Sequence, residues 1–248
     1  MQRCNVLTFV DRCNLGHRPH TSAQTYVGEL NCMLMKRLFS IPAILFLSLV
    51  TAGATEQGVV DHCAATIRAF RQMPEKGIPR DVLRHSKGLA IMTVFKAGFI
   101  FSGKGGQGVV VARTSHGWSG PSFIATGGAG WGLQIGAQVT DFVIVLNNDS
   151  AVRAFSRRGN VTIGADVSAA AGPVGRTASG AVAPTAAVYT YSRSKGLFAG
   201  VSLEGAVIGT QRDSNFRYYG RPVRADEILS GVTAAPPGAA SLRRALGR

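Results

Sequence analysis

Gly103-x-Gly105-x-x-Gly108 has the letter pattern of a dinucleotide-binding turn. That turn works because a helix N-terminus follows the glycines and offers its amides and dipole to a pyrophosphate. Here Val109-Val110-Val111 follow, a β-branched run with no helix start, so the glycines read as a hairpin or bulged turn. The same holds for Gly128-Ala129-Gly130-Trp131-Gly132. His116 with Trp118-Ser119-Gly120 supplies part of a nucleophile elbow, but that motif requires glycine two residues after the serine, and Pro121 stands there. His62, His85 and His116 are the histidines beyond residue 54. None is spaced with a second histidine or a carboxylate as a metal site requires. Asp141, Asp166 and Glu204 occur singly in β-rich stretches, so no carboxylate pair is nominated for acid–base work. The spacing therefore nominates no catalytic residue, no metal ligand and no cofactor.

Charge points to binding. The 248 residues hold 27 Lys+Arg against 13 Asp+Glu, a formal net charge of +14, and only five of the 27 precede Thr55. A basic excess carried by the folded part favours polyanions: nucleic acid, anionic lipid or acidic protein surfaces. Nucleic acid is not expected as a partner. The arginines from Arg153 to Arg224 are dispersed and accompany no groove-reading or single-strand motif. Aromatic residues such as Tyr189 and Tyr191 alternate within β-like runs, which suits cross-strand packing better than base stacking.

The chain is organised in four parts. Met33-Leu34-Met35, Lys36-Arg37, the apolar run LFSIPAILFLSLV from Leu38 to Val50 and Ala52-Gly53-Ala54 together make the three-part pattern of a secretory signal peptide over 35–54. The run is too short for a membrane span, which needs roughly eighteen or more apolar residues. Residues 1–34 are long and mixed, unlike a signal n-region, and read as an upstream extension with the true start at Met33 or Met35. Cys4, Cys13 and Cys32 precede Met35, so a processed chain keeps Cys63 alone and forms no internal disulfide. Residues 55–231 form the domain, and 232–248, with AAPPGAASLRRALGR, read as a flexible basic tail.

Within the domain, Val59, Val60, Cys63, Ile67, Phe70 and Met73 recur at three- and four-residue steps, an amphipathic helix ending near Pro74. Its stripe suits either packing on the domain or lying in a lipid interface. A short helix follows over Pro79 to His85. From Gly88 the period changes to two, in runs such as LAIMTVF, GVVVAR and DFVIVLN, closing with NFRYYG. DSAVRAFSR, from Asp149 to Arg157, is a helical interruption with Asp149 or Ser150 as N-cap. The fold class is α+β: N-terminal helices packed on a large glycine-rich, mostly antiparallel, barrel-like sheet.

Several blocks occur together and in order: Ser86-Lys87-Gly88-Leu89-Ala90-Ile91, Lys96-Ala97-Gly98-Phe99, Gly108-Val109-Val110-Val111-Ala112-Arg113, Trp118-Ser119-x-Pro121-Ser122, Gly136-Ala137-Gln138-Val139-Thr140-Asp141 and Ser202-Leu203-Glu204-Gly205. With these the chain resembles the SYLF domain over residues 56–231. The resemblance implies a non-catalytic lipid-binding module, since eukaryotic members bind phosphoinositides partly through an N-terminal amphipathic helix. Yeast-type members also bind and bundle actin, with an SH3 domain appended. No SH3 segment is expected in this sequence, and the leader resembles that of exported bacterial members. The resulting expectation is a periplasmic or secreted protein attached peripherally to anionic lipid, which would put actin out of reach.

On that reading, Arg68, Arg71, Lys76, Arg80 and Arg84 on the two front helices meet phosphate oxygens while Val60, Ile67 and Phe70 enter the interface. Each cation contributes on the order of 1 kcal/mol near an anionic surface. Lys87, Lys96 and Lys104, in the signature blocks, complete the set, and Glu204 is a family mark to which no role attaches. Two alternatives remain: a cytosolic actin-binding and bundling regulator, and an exported outer-membrane β protein.

Overall fold

The central strands alternate apolar residues toward both sides, and this dictates the layering. In β1 (Gly88–Phe99), Leu89 and Ile91 join one core cluster while Ala90, Met92 and Val94 join another. β2 (Phe101–Thr114) divides Val109 and Val111 from Val110 and Ala112 in the same way. A strand with two apolar faces must be covered on both. The computed structural model describes residues 55–73, 77–99, 101–131, 136–157, 159–172, 186–196 and 206–247. The chain divides into two compact units, Met1–Gly53 and Ala54–Arg248, and the described residues belong to the second. The extension and signal-peptide readings of 1–54 thus lie outside the described residues.

The remaining strands are β3 (Gly117–Trp118), β4 (Ser122–Trp131), β5 (Gly136–Leu146), β6 (Asn160–Thr162), β7 (Ala169–Ala171), β8 (Val188–Gly196) and β9 (Val207–Thr210). Their order is β6-β9-β4-β2-β1-β5-β8-β7, with β3 beside β2. Only β7 and β8 pair in parallel among the described strands. The sheet curls as a half-barrel, which agrees with the expected α+β class.

One face is covered by α1 (Glu56–Arg71), capped by the Thr55 hydroxyl, which accepts from the Gly58 amide, and stopped at Gln72. Val60, Ile67 and Phe70 are at most 1% exposed and pack over Leu89, Ile91, Val109, Val111, Val143 and Val145. The stripe offered above to a lipid interface is therefore core. The second helix, α2 (Arg80–His85), adds Val82 to the same cluster. The opposite face is covered by α3 (Asp149–Ser156) through Ala151 and Phe155, and by α5 (Ala225–Leu229) through Leu229. Helices thus lie on both sides rather than only in front. Such two-sided cover is incompatible with an outer-membrane barrel, whose outer face must be bare to lipid.

Four local expectations change. Gly103 to Gly108 lie inside β2 and form no turn, because Phe99 already pairs with Phe101 at the hairpin end. A Cβ at Gly108 would collide with the Ile91 carbonyl and Met92, so close strand approach explains that glycine. The N-cap of α3 is Asn148, whose side chain accepts from the Ala151 amide at 2.8 Å. NFRYYG is not a strand but the end of α4 (Arg212–Tyr219), with Asp213 in its first turn and Gly220 at φ 69° as its left-handed stop.

The fourth change concerns 232–248. The segment is ordered, with a 3-10 turn at Pro237–Ala239 leading into α6 (Ala240–Leu246). Leu242, Ala245 and Leu246, at one face's spacing, are buried with the α1 stripe. Leu242→Ala should cost about 2–5 kcal/mol through the cavity it leaves, seen as a lowered thermal midpoint, whereas an unchanged midpoint would contradict the packed position of α6.

Candidate functional site

α1 and α6 are tied side by side, and their shared edge concentrates cations that form no ion pair among the described residues. At one end Gln57 Nε2 donates to the Gly238 carbonyl at 3.1 Å and Ser241 donates to Asp61 at 2.7 Å, while Arg217 of α4 donates to Glu56 at 2.6 Å. At the other end Arg71 Nη1 donates to the Ala245 carbonyl at 2.7 Å. The last turn of α1 carries Arg68 and Arg71, and the last turn of α6 carries Arg243 and Arg244. Cations suit these positions because the carbonyl ends of both helices are partially negative.

Two adjoining furrows share Arg244. One, of about 300 Å³, is lined by Arg68, Arg71, Gln72, Arg244 and Ala245. The other, of about 650 Å³, is lined by His116, Gly117, Trp118, Ala240, Arg243, Arg244 and Gly247. The Trp118 indole donates to the Gly247 carbonyl at 3.0 Å, and the Arg113 guanidinium lies over its ring, 4.2 Å from the centroid. Among the described residues no carboxylate lines either furrow. Arg68, Arg243 and Arg244 form no ion pair among the described residues. Asp61 is a nearby carboxylate. The Ser241 and Gln57 hydrogen bonds, aided by the Arg68 charge, hold it below its ordinary value. This edge can hold an extended anionic surface by bidentate guanidinium contacts.

The structure divides the residues selected from the sequence. Arg68 and Arg71 join the furrow. Arg80 and Arg84 lie on α2, where Arg84 pairs with Asp81 at 2.7 Å, and neither they nor Lys87 at the head of β1 line it. Lys96 and Lys104 face each other in register across β1 and β2, on the side of Val94 and Met92, opposite α1. Lys76 and Glu204 lie outside the described residues. Val60, Ile67 and Phe70 are buried and unavailable to a ligand. Arg243, Arg244 and Trp118 are additions, and the spacing of Leu242, Ala245 and Leu246 was the signal for the first two.

Beneath α1 sits a polar knot. Asp141 accepts from Arg193 Nη2 at 2.8 Å, Thr93 Oγ1 at 2.8 Å and His62 Nε2 at 3.3 Å. Burial alone would raise its pKa, but these hydrogen bonds and the nearby imidazole outweigh burial and hold it below the ordinary carboxylate value. The knot stitches α1 to β1, β5 and β8. A separate cavity of about 790 Å³ lies among α3, α4 and α5, with Arg157, Arg212 and Arg224 balanced by Asp213, Asp226 and Glu227. None of the selected residues lines it.

With this geometry the comparisons are informative. The family model described as Ysc84, Las17-binding protein actin regulator, matches residues 127–248, a span that includes α6. Over 174 residues the chain is 51% identical to the LAS seventeen-binding protein 3 of Saccharomyces cerevisiae, covering 68% of this chain and 38% of that protein. It is 48% identical over 175 residues to the SH3 domain-containing YSC84-like protein 1 of Homo sapiens, covering 69% of this chain and 51% of that protein. The chain belongs to the Ysc84, or SYLF, family. It spans between about two-fifths and one-half of these curated relatives. The relatives also correct the expected location. Yeast and human proteins about half identical to this domain, in a family described as actin regulators, contradict a periplasmic or secreted site.

The Asp141 knot yields a pH prediction. A carboxylate held below its unfolded value adds stability above that value, and the contribution is lost as pH falls through the folded one. Asp141→Asn should lower the urea midpoint at neutral pH, and the gap to the wild type should begin to narrow as pH falls below about 4, the ordinary carboxylate value, and go on narrowing with further acidification. A gap that stays unchanged with acidification would contradict the assignment.

Proposed function

We propose that this domain is a non-catalytic, cytoplasmic interaction module of the actin machinery, and that it holds an acidic protein surface against the arginine edge of α1 and α6. The observation that carries this reading is the pair of furrows bordered by Arg68, Arg71, Arg243 and Arg244 with no carboxylate among the described residues of their lining. Its family supports the same direction: the matching description names an actin regulator, and the yeast relative is named for binding Las17. Actin filaments are acidic polymers. A row of guanidiniums on a rigid two-helix edge suits such a surface, because complementary charge speeds encounter and fixes orientation.

Anionic lipid is the second reading, favoured by the same unpaired guanidiniums. It does not run through Val60, Ile67 and Phe70, which the sheet retains. Rim cations near an anionic membrane contribute on the order of 1 kcal/mol each, so three or four give reversible, salt-sensitive attachment.

Co-pelleting of the full chain with actin filaments tests the main reading. The wild type should pellet at low salt, and Arg68→Glu with Arg243→Glu should weaken binding by roughly tenfold or more, as expected for reversing two charges on a complementary face. A wild type that stays in solution with filaments at low salt would overturn the proposal.

A further inference from the structure

The cavity of about 790 Å³ among α3, α4 and α5 shares no lining residue with the two furrows of the arginine edge. Its walls are held from behind. Ala151 and Phe155 bury one side of α3, and Ile228 and Leu229 bury one side of α5. Three hydrogen bonds hold α4: the Gln211 amide donates to the Phe123 carbonyl at 2.9 Å, the Asn215 side chain accepts from the Phe123 amide at 2.8 Å, and the Tyr219 hydroxyl donates to the Pro121 carbonyl at 3.1 Å. The side chains that face the cavity are therefore carried on fixed elements. Its volume lies within the range of small-molecule sites, about 300–1,000 Å³.

The charges of the lining are not all available. Asp226 and Glu227 are committed to the start of α5: Arg224 donates to Asp226 through Nε and Nη2, and Glu227 accepts from the Arg224 amide at 3.3 Å. Arg157 and Arg212 form no ion pair among the described residues. Arg212 opens α4, and its N-cap residue, Gln211, makes no side-chain cap, so the positive end of this helix lies beside the same two guanidiniums. Phe216 stands one turn after Arg212 on the same side of α4, lines the cavity and is 49% exposed. Asp213 and Asn160 add a carboxylate and an amide that no other described side chain engages.

A flat aromatic wall beside two guanidiniums suits a ligand with a planar ring and an anionic end. A carboxylate next to them disfavours a bare anion and favours one that also brings hydroxyl or amine donors. We propose that this cavity binds a nucleoside phosphate. Arg157, Arg212 and the opening amides of α4 take the phosphate oxygens, Phe216 stacks on the base, and Asp213 and Asn160 take sugar hydroxyls or the polar edge of the base. The site is assembled from separate helices and needs no glycine-rich loop, and the arginine edge stays free for a protein partner at the same time.

Isothermal titration of the full chain tests this with the diphosphates of adenosine, guanosine, cytidine and uridine, with the four nucleosides, and with inorganic pyrophosphate. At least one diphosphate should bind about tenfold or more tightly than its own nucleoside and than pyrophosphate, since it alone engages both parts of the cavity. Arg157→Ala with Arg212→Ala should weaken that binding by about tenfold or more. Phe216→Ala should weaken it similarly, whereas Phe216→Trp, which keeps a flat ring, should retain it. Thermal midpoints should match the wild type because all three side chains are exposed; should the alanine pair lower the midpoint, Arg157→Gln with Arg212→Gln removes the charge and keeps the aliphatic stem. Arg68→Glu with Arg243→Glu should leave nucleotide binding unchanged. Absence of binding by every nucleotide, pyrophosphate binding as tightly as the nucleotide, or loss of binding only on reversing Arg68 and Arg243 would each overturn the inference. None of these results alters filament binding, which depends on the other surface.

Discussion

The whole arrangement depends on central strands that are apolar on both faces. β1, β2 and β5 send alternate Val, Ile, Leu and Met side chains into two separate clusters, and neither cluster can be left wet. α1 and α6 close one, and α3 and α5 close the other. Removing α1 would expose Leu89, Ile91, Val109, Val111, Val143 and Val145. At about 1.5–3 kcal/mol for each buried side chain, the cost is on the order of 10 kcal/mol. That is comparable with the roughly 5–15 kcal/mol that holds an ordinary domain folded. A membrane could rebury the helix stripe but not the uncovered sheet. The energetic balance therefore keeps α1 in place and forces any ligand to use what the cover leaves outside.

Two surfaces are left outside, with different chemistry. The edge shared by α1 and α6 is cationic because both helices end there, and arginine is favourable near the carbonyl end of a helix. Part of the arginine content is thus a matter of helix stability, and the proposed use in recognition rests on the lack of carboxylates beside it among the described residues. Beyond α1 the sheet carries Phe95 and Val139, paired in register and both exposed, among glycines and alanines. The Asp141 knot ties α1, through His62, to β1, β5 and β8 beneath it. One rigid body can in this way present a charged edge and a greasy end together.

Much of this was legible in the residues and some was not. The three- and four-residue steps from Val59 to Phe70 announced α1, and the period-two runs announced the sheet. The stripe itself could not say whether it faced protein or lipid, because both take the same side chains. What decides it is the second apolar face on β1 and β2, visible in the Leu89 to Val94 alternation but interpretable only once neighbours are known. NFRYYG misled because aromatic density favours strands locally, whereas Gly220 and the position of Asn215 beneath Phe123 set a helix. LRRAL was passed over because Pro236-Pro237-Gly238 resembles a loose tail, although Leu242, Ala245 and Leu246 already had helical spacing. Family resemblance carried the domain type correctly, and the leader pattern carried the location wrongly.

Cys63 offers a direct test of the claim that α1 remains on the sheet when the protein binds. Its thiol is 2% exposed, donates to the Ile91 carbonyl at 3.4 Å, and is pushed up to about 12 by burial. Labelling of the full chain with a maleimide reagent, read at the Cys63 peptide by mass spectrometry, can be run with and without saturating anionic vesicles. The account predicts that Cys63 stays unlabelled in both conditions and reacts only after denaturation. Rapid labelling of Cys63 on addition of vesicles would show that α1 leaves the sheet, and would contradict the account at its centre.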